Sequence, residues 1–139
     1  MPDFHQGGVI STLHRLGRPR VDRLEAELLS LSRSRPIALV LPCLYAELKG
    51  PGLKGIVDTL RGVEYLRQIV VSISGTERRD EYEGMRSLFD GVAGVDGQAP
   101  VLLWNSGPRV QALYERLQSE GLDAGSDGKG RSTWLAYGY

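Results

Sequence analysis

Three short apolar runs, each followed by a stretch of helical periodicity, constrain this chain more than any other feature of it. Ile37-Ala-Leu-Val-Leu41 is unbroken, Gln68-Ile-Val-Val-Ser-Ile-Ser74 is rich in β-branched side chains, and Pro100-Val-Leu-Leu-Trp104 repeats the pattern. The first is of the kind found in strands covered on both faces, and the β-branched content of the second also marks a strand. Ahead of the first, Val21, Leu24, Leu28 and Leu31 recur at helical spacing, which predicts an amphipathic helix over 21–33 that Pro36 ends. Between the runs lie Leu53, Ile56, Val57 and Leu60, then a helix over about 80–90 with Tyr82, Met85, Leu88 and Phe89 facing inward. After the third run, Gly107-Pro108 opens a helix carrying Val110, Leu113 and Leu117, with Gly121 at its far end. Strand and helix in strict alternation predict an α/β fold: a Rossmann-like parallel sheet with right-handed crossovers and flanking helices. From Ser132 the sequence starts one more helix that leaves Trp134, Leu135 and Tyr137 uncovered, and reads as a domain truncated within that helix. Residues 1–20 read as an N-terminal extension and 21–139 as the domain.

In such sheets ligands bind beyond the carboxyl ends of the strands, which directs attention to Pro42 to Lys49, Ser74 to Arg79 and Asn105 to Arg109. Charge gives no further guide. Seventeen basic residues balance seventeen acidic ones, so no global field draws nucleic acid or an anionic membrane, and anion binding requires a local constellation. The longest apolar run, Ile37 to Leu44, contains Pro42 and is far short of the ~20 residues that cross a bilayer. No basic and apolar leader follows Met1, and the single Cys43 suits a reducing compartment, so a cytoplasmic protein is expected. One cysteine also argues against structural zinc of the usual type.

Glycine, at 18 of 139 residues, has about twice its average share and clusters in loops. Gly125-Ser-Asp-Gly-Lys-Gly-Arg-Ser132 is the strongest local candidate for phosphate: glycines admit close approach of backbone N–H groups, Lys129 and Arg131 neutralise charge, and Ser132 begins a helix. It is not a P-loop, because Asp123 and Gly130 stand where glycine and serine or threonine are required. Gly-x-Gly-x-x-Gly after a strand is absent, which disfavours a nicotinamide or flavin cofactor. Spacing alone leaves a solvated loop as an equal reading. At the exit of the first strand, Tyr45 can stack on a base and Glu47 can accept hydrogen bonds from a ribose; alternatively Leu44 and Tyr45 pack on the next helix and Glu47 meets Lys49 or solvent. Cys43 reads as buried and inert, since neither His5 nor His14 is placed as its base, and the two histidines lack metal spacing. Asp80, Glu81 and Glu83 read as a solvated helix start. Arg109 and Gln111 either line the cleft or begin an exposed helix.

Taken in order, Leu39-Val-Leu-Pro-Cys-Leu-Tyr-Ala-Glu47, Leu102-Leu-Trp-Asn-Ser-Gly-Pro-Arg109 and Gly128-Lys-Gly-Arg131 resemble the N-terminal half of a GT-A-type glycosyltransferase, over about residues 36–139. The nearest group makes glucosylglycerate, mannosylglycerate or their phosphorylated forms. The resemblance implies that 21–139 is the nucleotide-sugar-binding half of such a domain. By the same resemblance Pro42, Cys43, Leu44, Tyr45 and Glu47 cradle the nucleoside, Ser74 contacts the base, and Gly128 and Lys129 approach the diphosphate. It implies a hexosyltransferase, retaining and using UDP-glucose, that glycosylates a small hydroxy acid such as 3-phosphoglycerate or glycerate. Glucose or mannose, UDP or GDP, and phosphorylated or free glycerate remain alternatives. A divalent metal, Mg or Mn, is implied for the complete enzyme, whose Asp-x-Asp ligand motif does not occur in this chain, so low activity is expected of it alone. The reading from another class is a noncatalytic nucleotide-binding or interaction module that docks through Trp134 to Tyr139. Those apolar residues also leave homo-oligomer formation open.

Overall fold

The computed structural model describes residues 20–139, and the expectations for His5, His14 and most of the extension lie outside that range. Three strands, β1 (Ile37–Leu44), β2 (Leu66–Ser74) and β3 (Val101–Trp104), form a parallel sheet in the order β1-β2-β3. Register runs from Leu41 to Val71 to Leu102, and from Pro42 to Ser72 to Leu103. The strand–helix alternation read from the sequence is therefore the architecture. β1 continues three residues past the predicted end and includes Pro42, a residue without an N–H, which suits β1's place at an edge of the described sheet.

Helices α1 (Val21–Ser32), α2 (Pro51–Leu60), α3 (Arg79–Leu88), α4 (Pro108–Ser119) and α5 (Lys129–Gly138) complete the fold, with a 3₁₀ turn at Tyr45–Lys49. Successive residues of a strand face opposite sides, and β2 uses both sides differently. Ile69, Val71 and Ile73 pack with Leu53, Val57 and Leu60 of α2 and with Met85 and Phe89 of the α3 region, forming the core. The other face carries Val70, Ser72 and Ser74, and there α5 packs across β1 and β2. α1 and α4 bury no residue fully, so the face predicted for α1 leaves Val21, Leu24 and Leu31 exposed.

Two expectations for the C-terminal segment are corrected. α5 starts at Lys129, one turn before Ser132, and Leu135 is buried at 7% exposure rather than uncovered, while Trp134 and Tyr137 are exposed as expected. Serine is a favoured capping residue and drew the predicted boundary to Ser132. Burial of Ser132, Leu135 and Ala136 against the sheet supports the extra turn despite Gly130, because helices in proteins draw most of their stability from packing.

Candidate functional site

β1 delivers its last residues to the carboxyl edge of the sheet, and Pro42 and Leu44 share a face there with their register partners Ser72 and Ser74. The chain then turns sharply. Glu47 fixes the turn by accepting a hydrogen bond from the Leu44 N–H onto Oε2 at 3.1 Å. On β2, Ser74 Oγ donates to the Cys43 carbonyl at 3.4 Å, closing the strand ends together. Gly75 follows at φ +73, a left-handed conformation, and a Cβ there would lie 2.6 Å from Leu44 Cδ1. Glycine at 75 thus lets Leu44 lie over the end of β2.

α5 brings the second wall. After the glycine-containing loop, Gly128 caps the helix without a side-chain hydrogen bond, and the first intrahelical bond from this end runs from the Ser132 N–H to the Gly128 carbonyl at 3.0 Å. The amides of Lys129, Gly130 and Arg131 lie ahead of that bond, where a helix has donors without helical acceptors and a partial positive charge. Together the two walls enclose an open cleft of about 400 Å³, lined by Pro42, Cys43, Leu44, Glu47, Ser74, Asp127, Gly128, Lys129 and Ser132. Seven of the eight residues to which the resemblance gives a place at the nucleotide line it. Lys129, more than eighty residues along the chain from Pro42, returns to the rim where β1 ends.

Tyr45 is the exception. It is half-buried against the core, which realises the packing alternative rather than a stacking role. Arg131 is also withdrawn from the phosphate role expected of it: its guanidinium lies 4.7 Å from the Tyr114 ring centroid, pairs with Asp127 at 2.8 Å and donates to the Gly125 carbonyl at 3.3 Å. Arg131 staples the loop and takes up the charge of one of the two carboxylates in the cleft. Lys129 takes part in none of the ion pairs among the described residues. Neither Arg109 nor Gln111 lines the cleft; Gln111 Nε2 donates to the Asn105 carbonyl at 2.7 Å. Of the acidic trio, Asp80 and Glu83 pair with arginines on the surface, whereas Glu81 is half-buried and accepts from Thr76 Oγ1. Ser132, expected as a helix start facing phosphate, is fully buried with its Oγ held by Asn105.

Cys43 contributes to the cleft floor, yet its side chain is 2% exposed and belongs to the core. Burial, reinforced by the Glu47 charge, pushes its thiol up to about 12 from 9.0. A nucleophilic role is thereby removed, since the thiolate is the reactive form. Native Cys43 is expected to react with an aromatic disulfide reagent at pH 8 roughly a thousandfold more slowly than in denaturant, judged from thiolate fraction alone. Comparable rates in the two states would overturn that assignment.

Among the described residues no group of three or more His, Cys, Asp or Glu side chains can hold a metal ion. Only Glu47 and Asp127 bring carboxylates to the cleft, and Asp127 is engaged by Arg131. The residues present therefore do not fit a metal centre by themselves. No helix among those described is long and apolar enough to cross a membrane.

Neither a protein-family model nor a solved structure matches the chain. Two curated relatives do. A glucosyl-3-phosphoglycerate synthase of Persephonella marina is 35% identical over 139 residues, all of this chain and 33% of the relative. One of Methanococcoides burtonii is 31% identical over 138 residues, 98% of this chain and 32% of the relative. Along its whole length the chain is therefore a relative of glycosyltransferases of the glucosyl-3-phosphoglycerate synthase family, and spans about a third of their length.

Proposed function

We propose that the cleft binds the nucleoside diphosphate of a nucleotide-sugar donor, and that the chain supplies the donor-binding part of a hexosyltransferase. The observation that carries this reading is the meeting of Lys129 and the α5 amides with the exit of β1 in one cleft. Pro42 and Leu44 offer an apolar wall to a base. Glu47 keeps acceptor capacity beyond the one bond it makes to Leu44, enough for a ribose hydroxyl or a base N–H. The Lys129 ammonium and the α5 N-terminus supply positive potential for the diphosphate.

The relatives are named for a glucosylated 3-phosphoglycerate, which supports a glucosyl donor and 3-phosphoglycerate as acceptor; UDP as the nucleotide, and glycerate as the acceptor lacking the phosphate, are part of the proposal. Transfer breaks the anomeric C–O bond, releases UDP, and forms a bond to the acceptor oxygen as its proton leaves. Charge accumulates on the departing diphosphate, so preorganised donors at that position act where stabilisation counts most. A divalent metal belongs to the proposal for the complete enzyme; this chain's residues do not form its ligand set, and no step is routed through it. Calorimetric titration with UDP, with and without magnesium, tests the reading: saturable one-to-one binding is expected, with GDP weaker. Absence of heat with either nucleotide at millimolar concentration would remove the donor site.

The other reading, a noncatalytic interaction module, draws on the apolar groove between α4 and α5, where Trp134 is 51% exposed beside Leu113, Leu117 and Tyr139. A concentration-dependent mass in solution without nucleotide binding would favour it.

A further inference from the structure

Three polar side chains lie buried in a row behind the cleft. Ser72 is 0% exposed, Asn105 1% and Ser132 0%. Ser72 Oγ donates to Asn105 Oδ1 at 2.9 Å, and Asn105 Nδ2 donates to Ser132 Oγ at 2.7 Å. The Asn105 backbone is pinned as well, its N–H bonded to the Ile73 carbonyl at 2.9 Å and its carbonyl to Gln111 Nε2 at 2.7 Å. The row thus joins the middle of β2, the end of β3 and the second turn of α5.

Burying three polar groups is unfavourable unless each is satisfied, and an all-apolar contact would hold α5 to the sheet without them. Apolar contact, however, is non-directional, whereas short hydrogen bonds fix distance and angle. What needs fixing is close by. Ser132 is one turn beyond Lys129, and its N–H holds the Gly128 carbonyl. Ser72 is the register partner of Pro42 on the opposite wall. The loop before α5 contains Gly125 and Gly128 and imposes little alignment of its own. From this geometry we infer that Asn105 is a positioning residue: through Ser132 it sets the first turn of α5, and with it Lys129, against the β1 wall. The inference deepens the donor-site reading and rests on it for its effect on nucleotide.

Asn105 and Ser72 do not line the cleft, so their substitution changes nucleotide affinity only through position. Asn105→Ala is expected to weaken UDP about tenfold, and Ser72→Ala about threefold as the amide loses its anchor. If the row acts through the first turn of α5, each effect is smaller in a Lys129→Ala background, the remainder being the part carried by the helix amides. Fully additive losses, or unaltered UDP affinity in both single variants, would overturn the inference. Ser72→Ala removes one hydroxyl and keeps the test available if Asn105→Ala fails to fold. Hydrogen exchange without nucleotide separates this inference from the donor-site reading. The amides of Ser132, Thr133 and Trp134 should exchange about tenfold faster in Ser72→Ala while core amides of β2 change little. Unchanged rates there sink the positioning role, even if UDP binds; wild-type protein that ignores UDP sinks the donor site, even if exchange rises.

Discussion

Lys129→Glu is expected to abolish measurable UDP binding while making the protein slightly more stable. A hydrogen bond to a charged group contributes about 1.5–3 kcal/mol, so Lys129→Ala alone should weaken binding roughly tenfold to a hundredfold. Reversing the charge adds repulsion from a diphosphate at the same rim. Stability moves the other way because Lys129 is the first residue of α5, where a cation opposes the helix dipole and an anion favours it by about 0.3–1 kcal/mol. Lys129 is exposed and outside the ion pairs among the described residues, so no folded-state partner is lost. A cation placed against the dipole, beside open helix amides, is an arrangement that binding explains and folding does not. Calorimetry with UDP and thermal unfolding by circular dichroism check the two signs together. Because the rim faces solvent, the wild-type advantage should shrink between 0.05 and 0.5 M salt. Equal UDP affinity in wild type and Lys129→Glu would detach the lysine from the site.

The sequence made the sheet legible because its signal is local: Ile37 to Leu41 and Val101 to Trp104 are unbroken apolar runs, and the run through Ile73 is rich in β-branched side chains. It also pointed to the edge where ligands bind, since topology alone fixes that. The meeting of Lys129 with Pro42 was suggested by resemblance and depends on where α5 lands, which no local pattern encodes. Tyr45 and Arg131 show the limit. Both are residue types that suit a nucleotide site, yet Tyr45 finds apolar partners in the core and Arg131 finds Tyr114 and Asp127. In the sequence Asn105 stands only as the first residue of the Asn105 to Arg109 edge segment, because its role comes from Ser72, 33 residues before it, and Ser132, 27 after it. An asparagine directly after a buried strand, followed by a glycine-proline helix start, was the available clue.

Neighbouring positions of β2 make the strongest stability prediction, because they show why polarity is tolerated at one residue and not at the next. Ser72 is fully buried with its hydroxyl engaged by Asn105; Val71 is equally buried, on the apolar face between Leu41 and Leu102 in register. Val71→Asp should therefore leave no cooperative unfolding transition at pH 7. Neutralising a carboxyl of ordinary pKa about 3.9 at that pH costs roughly 4 kcal/mol, and retaining its charge in the core costs more. Lost methyl burial adds about 2 kcal/mol, which brings the total near the 5–15 kcal/mol that holds a domain folded. Val71→Thr, of similar shape, should instead lower stability by about 1–3 kcal/mol, because its hydroxyl lacks the partner that Ser72 has. The sign with pH follows from the raised native-state pKa of the introduced carboxyl: the folded variant binds its proton at higher pH than the unfolded chain, so Val71→Asp recovers relative to wild type as pH falls from 7 toward 4. Guanidinium titrations followed by circular dichroism at the two pH values measure both effects. A wild-type midpoint for Val71→Asp at pH 7 would show that this face of β2 is not the core.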